Sequence, residues 1–139
     1  MYLYIGTTQD NIIKVGISSR NIRYREKEIQ KYYKYDTFKM VNCIGINAED
    51  NIVKQIEFMV RGSMMGLTKG LTLIGDDFIL CEEAEQKQIL IDMFEIIVFN
   101  ILQDYINVEL INDITIMPME LIPYTNMFDK AQSLIERGN

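Results

Sequence analysis

The sequence predicts an α+β fold in which a small, mostly antiparallel sheet is flanked by helices. Two strand-like runs rich in Ile, Tyr and Val lie close together at the start of the chain, separated by a polar turn. Apolar residues then recur at helical spacing in segments that alternate with further strand-like runs. With 139 residues, 48% of them hydrophobic, the chain is long enough to bury the core of one domain.

The first 82 residues contain the elements of this predicted core. We expect strands at residues 2–8, 12–17, 37–46 and 77–80, and helices at about residues 21–35 and 48–65. Ser18, Ser19 and Asn47 precede the two helices and are typical N-caps, because their side-chain oxygens accept from free helical N–H groups. Four glycines between residues 62 and 75 predict loop and turn.

Residues 83–139 predict a helix–strand–helix appendage that packs on the core. Its helices are expected at about residues 82–103 and 126–137, with a strand at 108–117 and an irregular link at 118–123. The segment Ile89–Leu102 is apolar nearly all round, yet its fourteen residues are too few to cross a bilayer. We therefore expect no membrane association. The helix is either buried within the chain, which is the more common outcome, or forms a homodimer interface.

Composition excludes several classes of function. Histidine is absent, which excludes Ser–His and Cys–His nucleophile systems and leaves carboxylates to hold any metal. Cys43 and Cys81 form no metal-type cluster, and no signal peptide is visible, so we expect a reduced thiol pair in a cytoplasmic protein. The net charge of −6 argues against a protein that coats nucleic acid generally.

Charge is distributed unevenly along the chain. Residues 1–40 carry a net charge of +4, whereas residues 41–139 carry −10. This asymmetry is typical of a basic working surface on an acidic body, the alternative being an ordinary solvated helix face.

The candidate functional residues lie in the basic part of the chain and in the second helix. Tyr4 and Lys14 fall on adjacent antiparallel strands, where cross-strand neighbours lie about 5 Å apart. Gly16 ends the second strand, where a ligand can approach the backbone closely. Glu57 lies at the edge of the apolar face of its helix and offers oxygen ligands to a divalent cation. The planar guanidinium suits phosphate oxygens, and three arginines follow Gly16 within two turns: Arg20, Arg23 and Arg25.

The order and spacing of these residues resemble the GIY-YIG nuclease superfamily, in particular its small phage-type branch. The stretch YLYIG contains Tyr4, and KVG begins at Lys14, ten residues later, which is the usual separation of the two family motifs. The run Asn21-Ile22-Arg23-Tyr24-Arg25 is similar to the Asn-Leu-x-x-Arg run of the family. Gly75-Asp76-Asp77-Phe78 resembles a Gly-x-Glu-x-Phe segment found near the end of the family domain. The resemblance covers about residues 1–82.

This resemblance implies a DNA endonuclease that hydrolyses phosphodiester bonds with one Mg²⁺ or Mn²⁺ ion. Glu57 is then the metal ligand, and Arg25, or Arg23 in an alternative register, stabilises charge on the phosphate. Tyr4 delivers or orients the nucleophile. Lys14 takes the place of a second tyrosine and either contacts phosphate as a point charge or, with a depressed pKa, acts as a base. We expect further DNA contacts from Gly16, Ser18, Arg20, Arg23 and Lys27.

Two alternatives remain open at this point. The chain can retain the fold without catalysis and use the basic first helix to hold DNA. It can also be a protein-interaction factor, for example in phage–host conflict, that acts through the apolar helix of the appendage.

Overall fold

The computed structural model describes residues 1–75 and 77–122, and over these ranges the predicted α+β class is confirmed. Six strands form one antiparallel sheet in the order β4-β5-β2-β1-β3-β6. The strands are β1 Tyr2–Thr7, β2 Ile12–Ser18, β3 Lys39–Ala48, β4 Leu71–Ile74, β5 Phe78–Cys81 and β6 Ile111–Ile116. The helices are α1 Ile22–Tyr32, α2 Asp50–Met65 and α3 Ala84–Asn107, followed by a short 3-10 helix at Met119–Leu121.

The hairpin of β1 and β2 forms the centre of the sheet. Its turn is closed by a hydrogen bond from the Thr8 N–H to the Ile12 carbonyl at 3.0 Å, with Asn11 in the left-handed region at φ 59°. The register places Tyr4 opposite Gly16 and Gly6 opposite Lys14. Because side chains alternate across a strand, Tyr4 and Lys14 lie on the same face of the sheet.

The two faces of the sheet carry separate cores. Leu3, Ile5, Ile13 and Val15 pack on one face against the apolar sides of α2 and α3. The opposite face carries a smaller core in which Tyr4 packs with residues of α1, β3 and the 3-10 helix: Ile22, Ile29, Met40, Cys43 and Met119. The helix α1 therefore covers the face that presents Tyr4 and Lys14.

Both predicted helix caps are wrong. The α1 helix is capped by Asn21, whose side-chain oxygen accepts from the backbone N–H groups of Arg23 and Tyr24 at 2.9 and 3.3 Å. The Ser18 hydroxyl instead binds the backbone of Arg20. The α2 helix begins after Glu49, two residues beyond Asn47, and makes no side-chain cap hydrogen bond.

The predicted glycine-rich loop contains a strand that the sequence pattern does not indicate. Helix α2 continues through Gly62, and the edge strand β4 lies between Gly70 and Gly75. These two glycines have φ values of +80° and +61°, so the left-handed turns at both ends of β4 favour glycine. Four residues are too few for a clear period-2 pattern, so the glycines dominate the local signal and predict loop.

Residues 83–122 join the same sheet and the same core. Strand β6 extends the sheet by pairing with β3, and α3 contributes Leu90, Phe94 and Val98 to the core under β1 and β2. The other side of α3 leaves Ile89 and Ile96 about half exposed. None of the helices within the described ranges has the length and apolarity that crossing a membrane requires. The helix predicted at 126–137 lies outside the described residues.

The cysteines Cys43 and Cys81 are both buried, and neither forms a disulfide. Cys43 belongs to the core beside Tyr4, and Cys81 to the core on the opposite face of the sheet.

The ring of Tyr4 lies directly over Gly16, and this contact predicts the outcome of a substitution. A Cβ atom at Gly16 would lie 2.4 Å from the Tyr4 hydroxyl oxygen, closer than van der Waals contact permits. We expect Gly16→Ala to lower the free energy of unfolding by about 1–3 kcal/mol, measured by urea denaturation.

The matched control is Gly45→Ala, at a buried strand glycine where the new Cβ would meet its nearest neighbour, the Thr115 Cβ atom, at 3.4 Å. This variant should lower the free energy of unfolding by less than Gly16→Ala does. In a Tyr4→Ala background the Gly16→Ala substitution should lose most of its effect. An undiminished effect in that background would contradict the contact.

Candidate active site

Four side chains from four elements meet at the edge of β2. Tyr4 comes from β1, Lys14 from β2, Arg25 from α1 and Glu57 from α2. Burial has the largest influence on both pKa values, raising that of Tyr4 and lowering that of Lys14. The positive charge of Arg25 lowers each pKa, and the negative charge of Glu57 raises each. Strand β5 pairs with β2 only over Ile12–Lys14, so the sheet narrows where these groups meet.

Tyr4 places a protonated phenol in the interior. Its side chain is fully buried, and among the described residues its hydroxyl makes no hydrogen bond of good geometry, although the Arg25 guanidinium lies close enough to influence it. Burial raises the pKa of Tyr4 to about 12, against the opposing influence of the Arg25 charge. At neutral pH the hydroxyl therefore keeps its proton and is available as a hydrogen-bond donor.

Lys14 is a buried cation that forms an ion pair with Asp77. Its Nζ atom lies 3.3 Å from Oδ2 of Asp77 and 5.0 Å from the centre of the Phe78 ring. Burial lowers the pKa of Lys14, whereas the Asp77 carboxylate raises it in part. The pKa of Lys14 is therefore lowered, which is the direction that allows a lysine to act as a base.

A chain of alternating charges continues from Lys14 to Glu57. Asp77 lies between Lys14 and Arg61, whose Nη1 atom is 3.6 Å from Oδ1 of Asp77. The same Arg61 nitrogen donates to Oε1 of Glu57 at 2.8 Å. Sequence reasoning missed Arg61 and gave no role to Asp77. The available signals were the i,i+4 spacing of Glu57 and Arg61 and the position of Asp77 directly before Phe78.

Arg25, rather than Arg23, lies at the site. The Arg25 side chain is about one quarter exposed, lies 3.7 Å from Glu28 and influences the pKa of Tyr4. Arg23 points into the opposite side of α1, where it is buried and pairs with Glu26 at 3.2 Å. Of the two arginines, Arg25 is therefore the one that lies near Tyr4.

Two of the expected DNA contacts have structural positions. Arg23 donates to the backbone carbonyls of Met119 and Ile122 at 2.9 and 3.1 Å and is covered by them. Gly16 is buried beneath the Tyr4 ring. Both residues thus have packing positions in this structure, and DNA contact by either of them stays a prediction.

Two of the other expected contacts, Ser18 and Arg20, line an open depression beside Arg25. This depression has a volume of about 260 Å³ and is lined by Ile17, Ser18, Ser19, Arg20, Arg25 and Glu28. Arg20 is exposed, lies 3.3 Å from Glu28 and packs over the Tyr24 ring at 5.5 Å. Lys27 is exposed on α1. Ser18 is largely buried, with its hydroxyl engaged by the Arg20 backbone.

A divalent ion at this site would have Glu57 as its protein ligand. Within residues 1–75 and 77–122, no group of three or more His, Cys, Asp or Glu side chains is arranged to hold a metal. The Glu57 carboxylate is only partly buried, and one carboxylate fits an ion such as Mg²⁺ that keeps most of its water ligands. The donor set is compatible with such an ion, provided that Glu57 shares its charge between the ion and Arg61.

Comparisons with protein-family models, with curated proteins and with solved structures find no match to this chain. The functional interpretation therefore depends on the geometry of the site and on the motif residues named from the sequence.

The raised pKa of Tyr4 predicts a loss of stability at alkaline pH. An unfolded tyrosine releases its proton near pH 10, whereas folded Tyr4 holds it to about pH 12. The folded state therefore binds more protons between these values, and the free energy of unfolding falls as pH rises. Relative to Tyr4→Phe, the wild type should lose about 1 kcal/mol between pH 9 and pH 11 by urea denaturation.

The comparison with Tyr4→Phe is needed because burial also raises the pKa of Cys43 to about 12. Cys43 makes the same contribution to both proteins and cancels in the difference. The same difference should appear when both proteins also carry Cys43→Ala. Parallel stability curves for wild type and Tyr4→Phe from pH 9 to pH 11 would contradict the predicted shift.

Proposed function

We propose that this chain is a divalent-metal-dependent DNA endonuclease that hydrolyses phosphodiester bonds at the site formed by Tyr4, Lys14, Arg25 and Glu57. One observation carries the proposal. The charges of Arg25 and Glu57 act on the pKa of both Tyr4 and Lys14, although the four residues come from different elements, and all four match motif positions of the GIY-YIG superfamily. Clustered groups with perturbed pKa values are typical of catalytic sites.

Each side chain has a chemical role in this proposal. Arg25 stabilises the negative charge that develops on the phosphate as the bond breaks. Tyr4, protonated at neutral pH, donates a hydrogen bond to a phosphate oxygen or to the attacking water once substrate binding opens access to its buried hydroxyl. Glu57 would hold the divalent ion, which when bound supplies positive charge to the phosphate and the leaving oxygen.

Lys14 is the group best suited to remove a proton from the attacking water. The high pKa of Tyr4 opposes the loss of its proton, whereas burial moves the pKa of Lys14 downward, towards the range in which it can accept one. The Asp77 carboxylate raises the pKa of Lys14 and so determines the fraction of Lys14 that is neutral at a given pH. Arg61 forms ion pairs with both Asp77 and Glu57.

A second candidate function is supported by the ion pairs of the site. Lys14 is paired with Asp77 and Glu57 with Arg61, an arrangement that also suits a stable structure without catalysis. The chain would then bind DNA or a protein partner without cutting. Cleavage assays separate the two functions.

Glu57→Gln tests the proposed metal site. We expect it to reduce Mg²⁺- or Mn²⁺-dependent nicking of plasmid DNA by about 100-fold or more, because the amide loses the charge that holds the ion. Glu85→Gln removes an exposed carboxylate on α3 and should leave nicking unchanged.

Arg61→Met separates metal binding from the ion pair, since it breaks the pair but keeps the Glu57 carboxylate. It should retain more activity than Glu57→Gln, and the activity should respond to the metal concentration. Equal losses in the two variants, insensitive to added metal, would indicate a structural role for Glu57. Absence of nicking by the folded wild-type protein would favour the binding function.

The proposed role of Lys14 predicts a specific pH profile. If neutral Lys14 accepts the proton, cleavage should rise with pH up to the pKa of Lys14 and then level off. Asp77→Asn removes the carboxylate that raises this pKa, so the rising limb should move to lower pH.

Lys14→Arg keeps the positive charge but cannot act as a base, and it should abolish the rising limb and most of the activity. Full activity in Lys14→Arg would instead assign Lys14 to phosphate contact.

A further inference from the structure

A row of aromatic rings extends from the solvent to Lys14. Tyr32 and Tyr33 lie at the end of α1 with their ring centres 6.5 Å apart, and the Tyr33 ring meets Phe78 edge-on at 5.0 Å. Tyr35 lies near Phe78 as well, at 5.1 Å. The Phe78 ring in turn lies 5.0 Å from the Lys14 amine. We call these four residues, Tyr32, Tyr33, Tyr35 and Phe78, the aromatic ladder.

The outer part of the aromatic ladder is not part of either core. The Tyr32 side chain is 83% exposed and Tyr33 is 43% exposed, whereas Phe78 is buried. The helix ends at this point, with Tyr33 donating its N–H to the Ile29 carbonyl and Lys34 in the left-handed region at φ 58°. This turn lets Tyr33 and Tyr35 both approach the Phe78 ring. The exposed tyrosines are thus attached to a fixed ring beside the proposed active site.

The sequence around the aromatic ladder favours a polyanion. Lys31, Lys34 and Lys39 are exposed in the same part of the chain, which carries the net positive charge of the sequence. Exposed aromatic rings next to cations are the arrangement with which proteins hold single-stranded nucleic acid, because a free base stacks on a ring while its phosphates contact the cations. Bases in a duplex stack on one another and leave no face for a tyrosine.

We propose that the aromatic ladder stacks an unpaired base, and that the substrate class of this protein is therefore single-stranded or locally unpaired DNA. The proposal extends the function proposed above, on which the cleavage part of it depends. The binding part depends only on the aromatic ladder and its cations.

The test is a direct measurement of stacking and affinity. A single-stranded oligonucleotide with one 2-aminopurine, and the same oligonucleotide annealed to its complement, are titrated with the full-length protein in EDTA, so that nothing is cleaved. The proteins compared are wild type, Tyr32→Ala, Tyr32→Trp and Phe58→Ala. Phe58 is the matched control, because it is also an exposed aromatic residue, at 69%, but lies on α2 outside the aromatic ladder.

We expect the wild type to bind the single strand more tightly than the duplex and to quench the 2-aminopurine. Tyr32→Ala should weaken single-strand binding by roughly 5- to 100-fold and lose the quenching. Tyr32→Trp should restore both, and Phe58→Ala should behave as wild type. Circular dichroism of each variant confirms folding, which an exposed side chain should not disturb.

The outcomes separate this proposal from the nuclease proposal. Equal single-strand affinity in wild type and Tyr32→Ala, or tighter binding of the duplex by the wild type, would overturn the proposed role of the aromatic ladder, whether or not metal-dependent nicking occurs. Tyr32-dependent quenching without any nicking would support the proposed role of the aromatic ladder and contradict the proposed nuclease activity.

Discussion

The contact between the Tyr4 ring and Gly16 determines the geometry on which the rest of the site depends. It requires the hairpin register that pairs these two residues, and the same register places Lys14 opposite Gly6 on the same face. Gly6 has an equivalent position, since a Cβ atom there would meet the Phe38 ring at 2.2 Å. Gly16 and Gly6 thus leave space on the central strands for the rings of Tyr4 and Phe38. A slip of one residue would move Tyr4 and Lys14 to the opposite face of the sheet.

Burying Tyr4 and Lys14 in this way creates an electrostatic problem that charged residues of the neighbouring elements address. A lysine in the interior loses most of its hydration, and an isolated buried charge is unfavourable unless it is paired. Asp77 supplies the counter-charge to Lys14, and Arg61 forms ion pairs with both Asp77 and Glu57. Along the series Lys14, Asp77, Arg61 and Glu57, each cation therefore lies beside a carboxylate. This arrangement also means that a phosphate or a metal ion entering the site would redistribute pairings that already exist.

The sequence predicts the parts of this arrangement that depend on local patterns. The hairpin, α2 and α3 follow from alternation and helical periodicity. The register pairs Lys14 with Gly6 rather than with Tyr4, so the two side chains lie diagonally on the same face. Choosing between Arg23 and Arg25 requires knowing which side of α1 is buried. That depends on Met119 and Ile122, nearly one hundred residues later. Arg61 was missed for a similar reason, because an i,i+4 pair with Glu57 is ordinary on a helix surface until Asp77 is brought beside it by the fold.

Helix α1 connects the charged site with the aromatic ladder, and its buried face explains why this connection is fixed. Arg23 and Glu26 form an ion pair inside the protein, where Glu26 also accepts from the Met40 N–H at 2.7 Å. These backbone partners satisfy the pair and attach α1 to β3 and to the 3-10 helix. Arg25 and Tyr32 are seven residues apart, which corresponds to about 10 Å along the helix axis. A DNA strand whose phosphate contacts Arg25 and whose base contacts Tyr32 must therefore run along α1, and the rigidity of that helix would set the distance between the two contacts.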